Sequence, residues 1–166
     1  MCYYLYSGDF MKIMLNNVAC ECLLCTNISD RFKLFRFKLN EIRTGLCLPH
    51  KRKGNTYLFC QRVDVFLVDD EFKIIKIIRN IKTEKFIFGN KLVYYMFFVP
   101  TNKFMNAGVG DKFKIILNDN EKDILDTYNK RYLEKYLAKK KKILKKLEKK
   151  KVPNKWFFTV GTFYLR

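Results

Sequence analysis

Between Asn55 and Ile78 lies an apolar run long enough for two strands, broken once by an acidic turn. Its first half, Val63–Val68, is rich in β-branched and aromatic residues, and a second apolar run begins at Phe72. The three acidic residues 69–71 between the two runs have the polar composition of a turn. The pattern predicts a β-hairpin around which the rest of the chain is organised.

Shorter apolar runs on either side of the hairpin predict further strands. They lie at Tyr3–Tyr6, Met11–Leu15, Val18–Cys25, Gly45–Leu48, Phe86–Phe88, Leu92–Val99 and Lys112–Leu117. The runs on both sides of Gly89-Asn90 have the pattern of an antiparallel pair. A basic turn is expected at His50–Asn55 and one short helix at Asp30–Phe35. Many short strands with frequent turns predict a mainly β fold, a small antiparallel barrel or sandwich.

The hydrophobic period changes from strand to helix at Asn118. Asn118 and Glu121 have the spacing of a helix cap and its partner. Apolar residues then recur at helical intervals, at Leu125, Tyr128, Tyr132, Leu133, Tyr136, Leu137, Leu144 and Leu147. This predicts one long basic amphipathic C-terminal helix that ends before Pro153. The helix would be about 45 Å long if it reaches Lys151.

The segment from Trp156 to Leu165 is apolar and aromatic. Because a loose segment would leave this surface in water, we expect it to dock on the β domain as a strand or extended segment. The predicted organisation is a β domain with an N-terminal arm at 1–117, the basic helix at 118–152 and the docked tail at 153–166.

The positive charge is concentrated in the predicted helix. The formal net charge is +18, and residues 130–151 contain twelve Lys or Arg against two Glu. Four consecutive cations at Lys139–Lys142 repel one another, a cost that an anionic partner relieves. Phosphate of nucleic acid is the commonest partner of such a segment. A membrane surface ranks lower, because the apolar face of the helix has no Trp or Phe.

Cysteine usage and hydropathy bear on the compartment. The chain has six cysteines, and neither a secretory leader nor an apolar run near the roughly 18 residues of a membrane span is evident. We therefore expect a cytoplasmic protein without a transmembrane segment.

Residues for catalysis are sparse. His50 is the single histidine, and no Ser or Cys stands beside it in a nucleophile motif. The acidic residues 69–71 are most simply a solvated turn, and Asp64 is expected to pair with a neighbouring strand or to cap a backbone amide. No catalytic residue is predicted.

Two cysteine pairs raise the question of a metal. Cys22-x-x-Cys25 and Cys47-x-x-His50 have the spacing of a zinc knuckle. Buried cysteines in strands are the commoner explanation, and Cys47 lies in an apolar strand where it would pack well. Neither a metal nor a cofactor is predicted.

From Ala19 to Ile116, the order and spacing of these segments resemble the DUF 192 family of small, mostly β bacterial and archaeal domains. The residues that carry the resemblance are Thr26–Arg31 for a helix start, Gly45–Leu48 for a Gly-Met-Leu-Phe strand, Thr56–Phe59 for a Phe-Trp-Met segment, Val63–Asp69 for Leu-Asp-Val-Ile-Phe-Leu-Asp, and Tyr95–Pro100 with Gly108–Phe113 for the closing motifs. The polar core of the family motif is replaced here by Leu58–Arg62. The resemblance implies a fold and no mechanism.

The leading hypothesis is a non-enzymatic nucleic-acid-binding protein, with RNA favoured over DNA, in which a β scaffold presents the basic helix. The predicted contacts are Lys130, Arg131, Lys135, Lys139, Lys140, Lys141, Lys142, Lys145, Lys146, Lys149 and Lys150, with Lys51, Arg52 and Lys53 of the basic turn. The alternative is a module for a small ligand or a protein partner whose lysines only keep it soluble.

Overall fold

The computed structural model describes residues 10–26, 36–37, 39–117 and 119–151. The strands are β1 (Phe10–Leu15), β2 (Val18–Leu24), β3 (Gly45–Pro49), β4 (Lys53–Asn55), β5 (Val63–Val68), β6 (Ile74–Ile81), β7 (Phe86–Phe88), β8 (Tyr95–Pro100) and β9 (Lys114–Ile116), followed by helix α1 (Asp119–Lys151). The predicted strand at Tyr3–Tyr6, the short helix at Asp30–Phe35 and the docked tail lie outside the described residues.

The fold is mainly β, and its central element is a seven-stranded sheet curled into a half-barrel. The strand order is β6-β5-β8-β3-β2-β1-β9, and β4 and β7 form a separate two-stranded ribbon. The predicted central hairpin is confirmed, because β5 and β6 pair antiparallel with Phe66 opposite Ile77. Its turn is built by Asp69, whose Oδ1 accepts hydrogen bonds from the amides of Glu71 and Lys73, each at 2.9 Å.

Three predicted details of the β structure are wrong. Phe86–Phe88 pairs with β4 instead of β8, so the expected hairpin around Gly89-Asn90 does not form, and the segment expected as a basic turn contains strand β4. A purely antiparallel sheet was expected, whereas β2 and β3 run parallel. The long connection between these two strands, residues 25–44, allows the crossover that a parallel pair requires.

The sheet is buried on both faces, which explains the unbroken apolar runs of its central strands. Along β5, Phe66 and Val68 pack in one core, and Val63, Val65 and Leu67 pack in the other. This alternation follows from the two-residue period of a strand. The first core also includes Leu125 and Tyr136 of α1, and the second includes Ile87 of β7. Helix and ribbon therefore cover opposite faces of the sheet.

In the described part of the chain, no helix is both long and apolar enough to cross a membrane.

Candidate functional site

Helix α1 is fixed on the sheet by polar contacts as well as by apolar packing. Tyr136 donates a hydrogen bond from its hydroxyl to the Leu92 carbonyl at 2.6 Å. Asn129, two turns earlier, lies within hydrogen-bond distance of the hydroxyls of Tyr94 and Tyr95. These contacts set both the position and the rotation of the helix, and they determine which of its lysines face the β domain.

The acidic turn 69–71 is the third anchor of the helix. Lys140 Nζ lies 2.5 Å from Asp70 Oδ1 and 3.8 Å from Glu71 Oε1, and the Lys140 and Asp70 side chains are only 19% and 12% exposed. Burial lowers the pKa of Lys140, but the hydrogen bond and charge of Asp70, with Asp69 and Glu71 nearby, outweigh it and raise the pKa above its ordinary value. The expectation of a simple solvated turn is corrected by this contact.

A groove of about 500 Å³ opens between α1 and the segment that leads from β3 into β4. We call it the basic groove. Its lining residues are His50, Lys51, Arg52, Lys53, Val93, Tyr94, Tyr132, Lys135, Tyr136 and Lys139. Five of these ten side chains are cationic, and the described residues that line the groove include no carboxylate. The groove therefore combines aromatic walls with five cationic side chains.

His50 stands at the junction of the strand and the helix. Its ring stacks on Tyr132 with centroids 4.8 Å apart and meets Tyr94 edge-on at 4.2 Å. Its backbone has a positive φ of 57°, held by a 2.6 Å hydrogen bond from its amide to the Tyr94 carbonyl. Burial lowers the pKa of His50 to about 4, and the charge of Lys51 acts in the same direction. A hydrogen bond to Asn129 partly opposes this shift. At neutral pH His50 is a neutral aromatic wall of the groove.

The basic groove gathers residues that are far apart in the sequence. Lys51, Arg52 and Lys53 of the strand segment face Lys135 and Lys139 of the helix. Lys135 and Lys139 reach the groove together with Tyr132 and Tyr136 because these four residues lie three or four positions apart, on one side of a helix.

The other predicted contacts lie elsewhere. Lys140 is paired with the acidic turn. Lys130, Lys141, Lys142, Lys145 and Lys146 are exposed and do not line the groove. The side chains of Arg131, Lys149 and Lys150 lie outside the described part of the structure.

Sequence reasoning missed the aromatic half of the groove. Tyr132 and Tyr136 were assigned to an apolar stripe, which is correct for the 5% exposed Tyr136, whereas Tyr132 is 39% exposed. Tyr94 was placed in a strand, but it precedes β8 and reaches α1. The available signal was the interleaving of Tyr and Lys at helical spacing between residues 132 and 139.

Asp64 has a structural role, as expected. This carboxylate is 2% exposed. It accepts hydrogen bonds from Arg79 Nη1 at 3.1 Å, from the Asn80 amide at 2.7 Å and from the Asn102 amide at 3.3 Å. Arg79 also donates to the Met105 and Ala107 carbonyls. Asp64 thus ties β5 to β6 and to the loop after β8.

The cysteines of the zinc-knuckle spacing lie in the sheet. Cys22, Cys25 and Cys47 are buried, and burial raises the pKa of the Cys22 and Cys47 thiols well above the ordinary value. The His50 ring packs against the rings of Tyr94 and Tyr132. Within the described ranges, no three His, Cys, Asp or Glu side chains are grouped so that they could hold a metal ion.

Comparisons with known proteins relate the chain to others at the level of fold. No protein-family model matches it, and no match was found among curated proteins. A solved structure of a candidate transcription regulator from Sinorhizobium meliloti 1021 is similar with a TM-score of 0.55 and 11% identity, covering 70% of this chain and 98% of that one. A protein of unknown function from Novosphingobium aromaticivorans DSM 12444 is similar with a TM-score of 0.53 and 11% identity, covering 69% and 91%. Neither is described as an enzyme. At this identity the likeness shows the fold alone.

Proposed function

We propose that this protein is a non-enzymatic nucleic-acid-binding protein, with RNA favoured over DNA, and that the basic groove is its primary contact. The observation that carries the proposal is the convergence of five cations from two distant segments in one tyrosine-walled groove without a carboxylate. Phosphate groups would relieve the repulsion among these cations and release counterions on binding.

The aromatic walls support a nucleic acid over a bare anion. Bases stack on aromatic side chains, and this contact is worth about 1–3 kcal/mol per base in known complexes. Tyr132 presents a partly exposed ring next to Lys135, so stacking and charge neutralisation can occur on the same nucleotide. RNA is preferred because its recognised bases lie mainly in loops and single strands, where side chains can reach them.

The family and the compartment belong to the same proposal. The motif order between Ala19 and Ile116 supports membership of the DUF 192 family, and a mainly β half-barrel agrees with what that resemblance implies. Cysteines at positions 20, 22, 47 and 60 that form no disulfide favour a reducing compartment. We therefore place the protein in the cytoplasm.

A small anionic ligand is the second candidate. The groove volume of about 500 Å³ lies within the roughly 300–1,000 Å³ range of small-molecule sites. Such a ligand would need only the groove, whereas a nucleic acid would continue past it along the exposed lysines of α1. The length dependence of binding therefore separates the two candidates.

The test is fluorescence anisotropy with labelled mixed-sequence RNA and duplex DNA of equal length at low salt. The double variant Lys135→Gln/Lys139→Gln should weaken RNA binding by roughly tenfold or more. The matched control, Lys12→Gln/Lys114→Gln, removes the same charge from exposed positions on β1 and β9 and should have a smaller effect.

Equal losses in the two double variants would contradict the groove as the contact. Affinity weaker than roughly millimolar at low salt would contradict nucleic-acid binding itself. A mononucleotide that competes as well as a long RNA would favour the small-ligand function.

A further inference from the structure

The two-stranded ribbon of β4 and β7 carries exposed aromatic rings on its outer face. Phe86 and Phe88 are 62% and 61% exposed, whereas Ile87 between them is 2% exposed. Since successive strand residues point to opposite faces, both rings project outward and Ile87 packs in the core. The rings lie 6.2 Å apart, and Tyr57 adds a third, 5.1 Å from Phe86. We call these three residues the aromatic row.

The aromatic row is held rigidly. A Cβ at Gly54 would lie 2.7 Å from Met96 Sδ, so the inner face of the ribbon is already in closest contact with β8. Thr56, 1% exposed, donates a hydrogen bond from Oγ1 to the Lys82 carbonyl and accepts one from the Lys85 amide, both at 2.9 Å. The outer rings therefore cannot turn inward as the ribbon stands, and the structure presents them to solvent.

The charge around the aromatic row continues the charge of the basic groove. Lys53 lines the groove, and its Nζ lies 5.9 Å from the centre of the Phe88 ring, which faces it across the ribbon. Lys82, Glu84 and Lys85, on the turn before β7, are exposed, so this turn adds a net positive charge. One continuous surface thus offers cations and flat apolar rings side by side.

The combination of exposed cations and aromatic rings favours one kind of ligand over others. A second copy of this strongly basic chain, with a formal net charge of +18, would bring its own lysines against Lys53, Lys82 and Lys85. A duplex keeps its bases stacked on one another and offers the rings only its backbone. A single-stranded nucleic acid supplies both phosphates for the lysines and unstacked bases for the rings.

We infer that the aromatic row is a base-stacking platform, and that a single-stranded nucleic acid runs from the basic groove past Lys53 onto Phe88 and Phe86. The inference rests on the proposed function and deepens it, because it names the single strand as the ligand and assigns a second contact surface. The basic groove binds phosphates, and the platform binds bases.

The experiment is a titration of labelled single-stranded oligouridine, 15 nucleotides long, by fluorescence anisotropy at several salt concentrations. Phe86→Ala/Phe88→Ala should weaken binding at least about tenfold without changing the slope of log affinity against log salt, because no ionic contact is lost. Phe86→Tyr/Phe88→Tyr should retain most of the affinity. Met105→Ala removes another exposed apolar side chain, 71% exposed, and should have no effect.

Several outcomes would overturn the inference. If Phe86→Ala/Phe88→Ala binds normally while Lys135→Gln/Lys139→Gln is impaired, the platform is wrong and the basic groove stands. If RNA binds but neither double variant changes the affinity, both the platform and the basic groove are wrong as contacts; if RNA does not bind at all, the proposed function fails. If size-exclusion chromatography shows a dimer that the alanine variant abolishes, the aromatic row is an interface between copies. Unchanged melting temperatures of the variants would show that each result reflects the surface and not the fold.

Discussion

The contact of Lys140 with the acidic turn makes a quantitative prediction about how the helix is held. Asp70→Asn preserves the shape of the side chain but removes the charge that faces Lys140 at 2.5 Å. The loss of one partner costs about 0–1 kcal/mol at exposed sites and about 3–5 kcal/mol at fully buried ones. With both side chains less than a fifth exposed and Glu71 still 3.8 Å away, we expect a loss of roughly 1–3 kcal/mol in the free energy of unfolding.

A double-mutant cycle isolates this interaction. Urea denaturation followed by far-ultraviolet circular dichroism would be measured for Asp70→Asn, Lys140→Gln and the double variant. We expect a coupling energy of about 1–2 kcal/mol. The control is Lys141→Gln, an exposed neighbour on the helix whose replacement should change stability by about 0.5 kcal/mol at most. A coupling near zero would refute the role of the turn as an anchor.

The same contact has a pH signature. Because the native pKa of Lys140 is raised above its ordinary value of 10.5, the contribution of the ion pair is fully present below pH 10.5 and is lost as the pH rises through the native pKa. The stability difference between the wild type and Asp70→Asn should therefore narrow in that alkaline range. A difference that widens there would contradict this assignment.

Four further predictions concern the fold. The native pKa of His50 is about 4, below its ordinary value of 6.5, so the stability of the protein should fall as the pH drops from 6.5 to 4. This component of the pH dependence should disappear in His50→Gln, which thermal denaturation across the range checks. Equal pH dependence of the wild type and His50→Gln would contradict the prediction. Asp64→Ala should cost roughly 1–3 kcal/mol, because the Asn80 and Asn102 amides lose their buried acceptor. A loss below about 0.5 kcal/mol in urea would refute the structural role. Gly45→Ala should destabilise markedly, because its Cβ would lie 2.8 Å from the Phe98 carbonyl oxygen, while Gly108→Ala has room; equal melting temperatures would be inconsistent with this packing. The fluorescence emission of Trp156, in the tail, should be blue-shifted and should resist quenching by iodide. Efficient quenching by iodide would mean that the tail does not dock.

The parts of the fold that local pattern encodes could be predicted from the sequence. The hairpin of β5 and β6 follows from two apolar runs and a turn in which the Asp69 side chain accepts hydrogen bonds from the amides of Glu71 and Lys73. The partner of β7 could not be predicted from such patterns. Its choice of β4 depends on Gly54, whose missing side chain lets the ribbon lie against Met96 of a strand more than forty residues away.

The candidate site was predicted residue by residue but not as an assembly. The lysines of the basic turn and of the helix were named separately, and their convergence depends on contacts between Lys140 and Asp70 and between Tyr136 and Leu92. These contacts join segments 70 and 44 residues apart, and the spacing of apolar residues along the chain does not predict them. Lys140, one of the predicted phosphate contacts, is paired with Asp70 and does not line the groove.

The salt dependence of RNA binding tests the central claim most directly. Each groove cation that neutralises a phosphate of a single strand adds about 0.7 to the magnitude of the slope of log affinity against log salt. The five cations of the basic groove therefore predict a slope of at least about 3.5 in magnitude, reduced by about 1.4 in Lys135→Gln/Lys139→Gln. An unchanged slope in that variant would contradict phosphate binding in the basic groove.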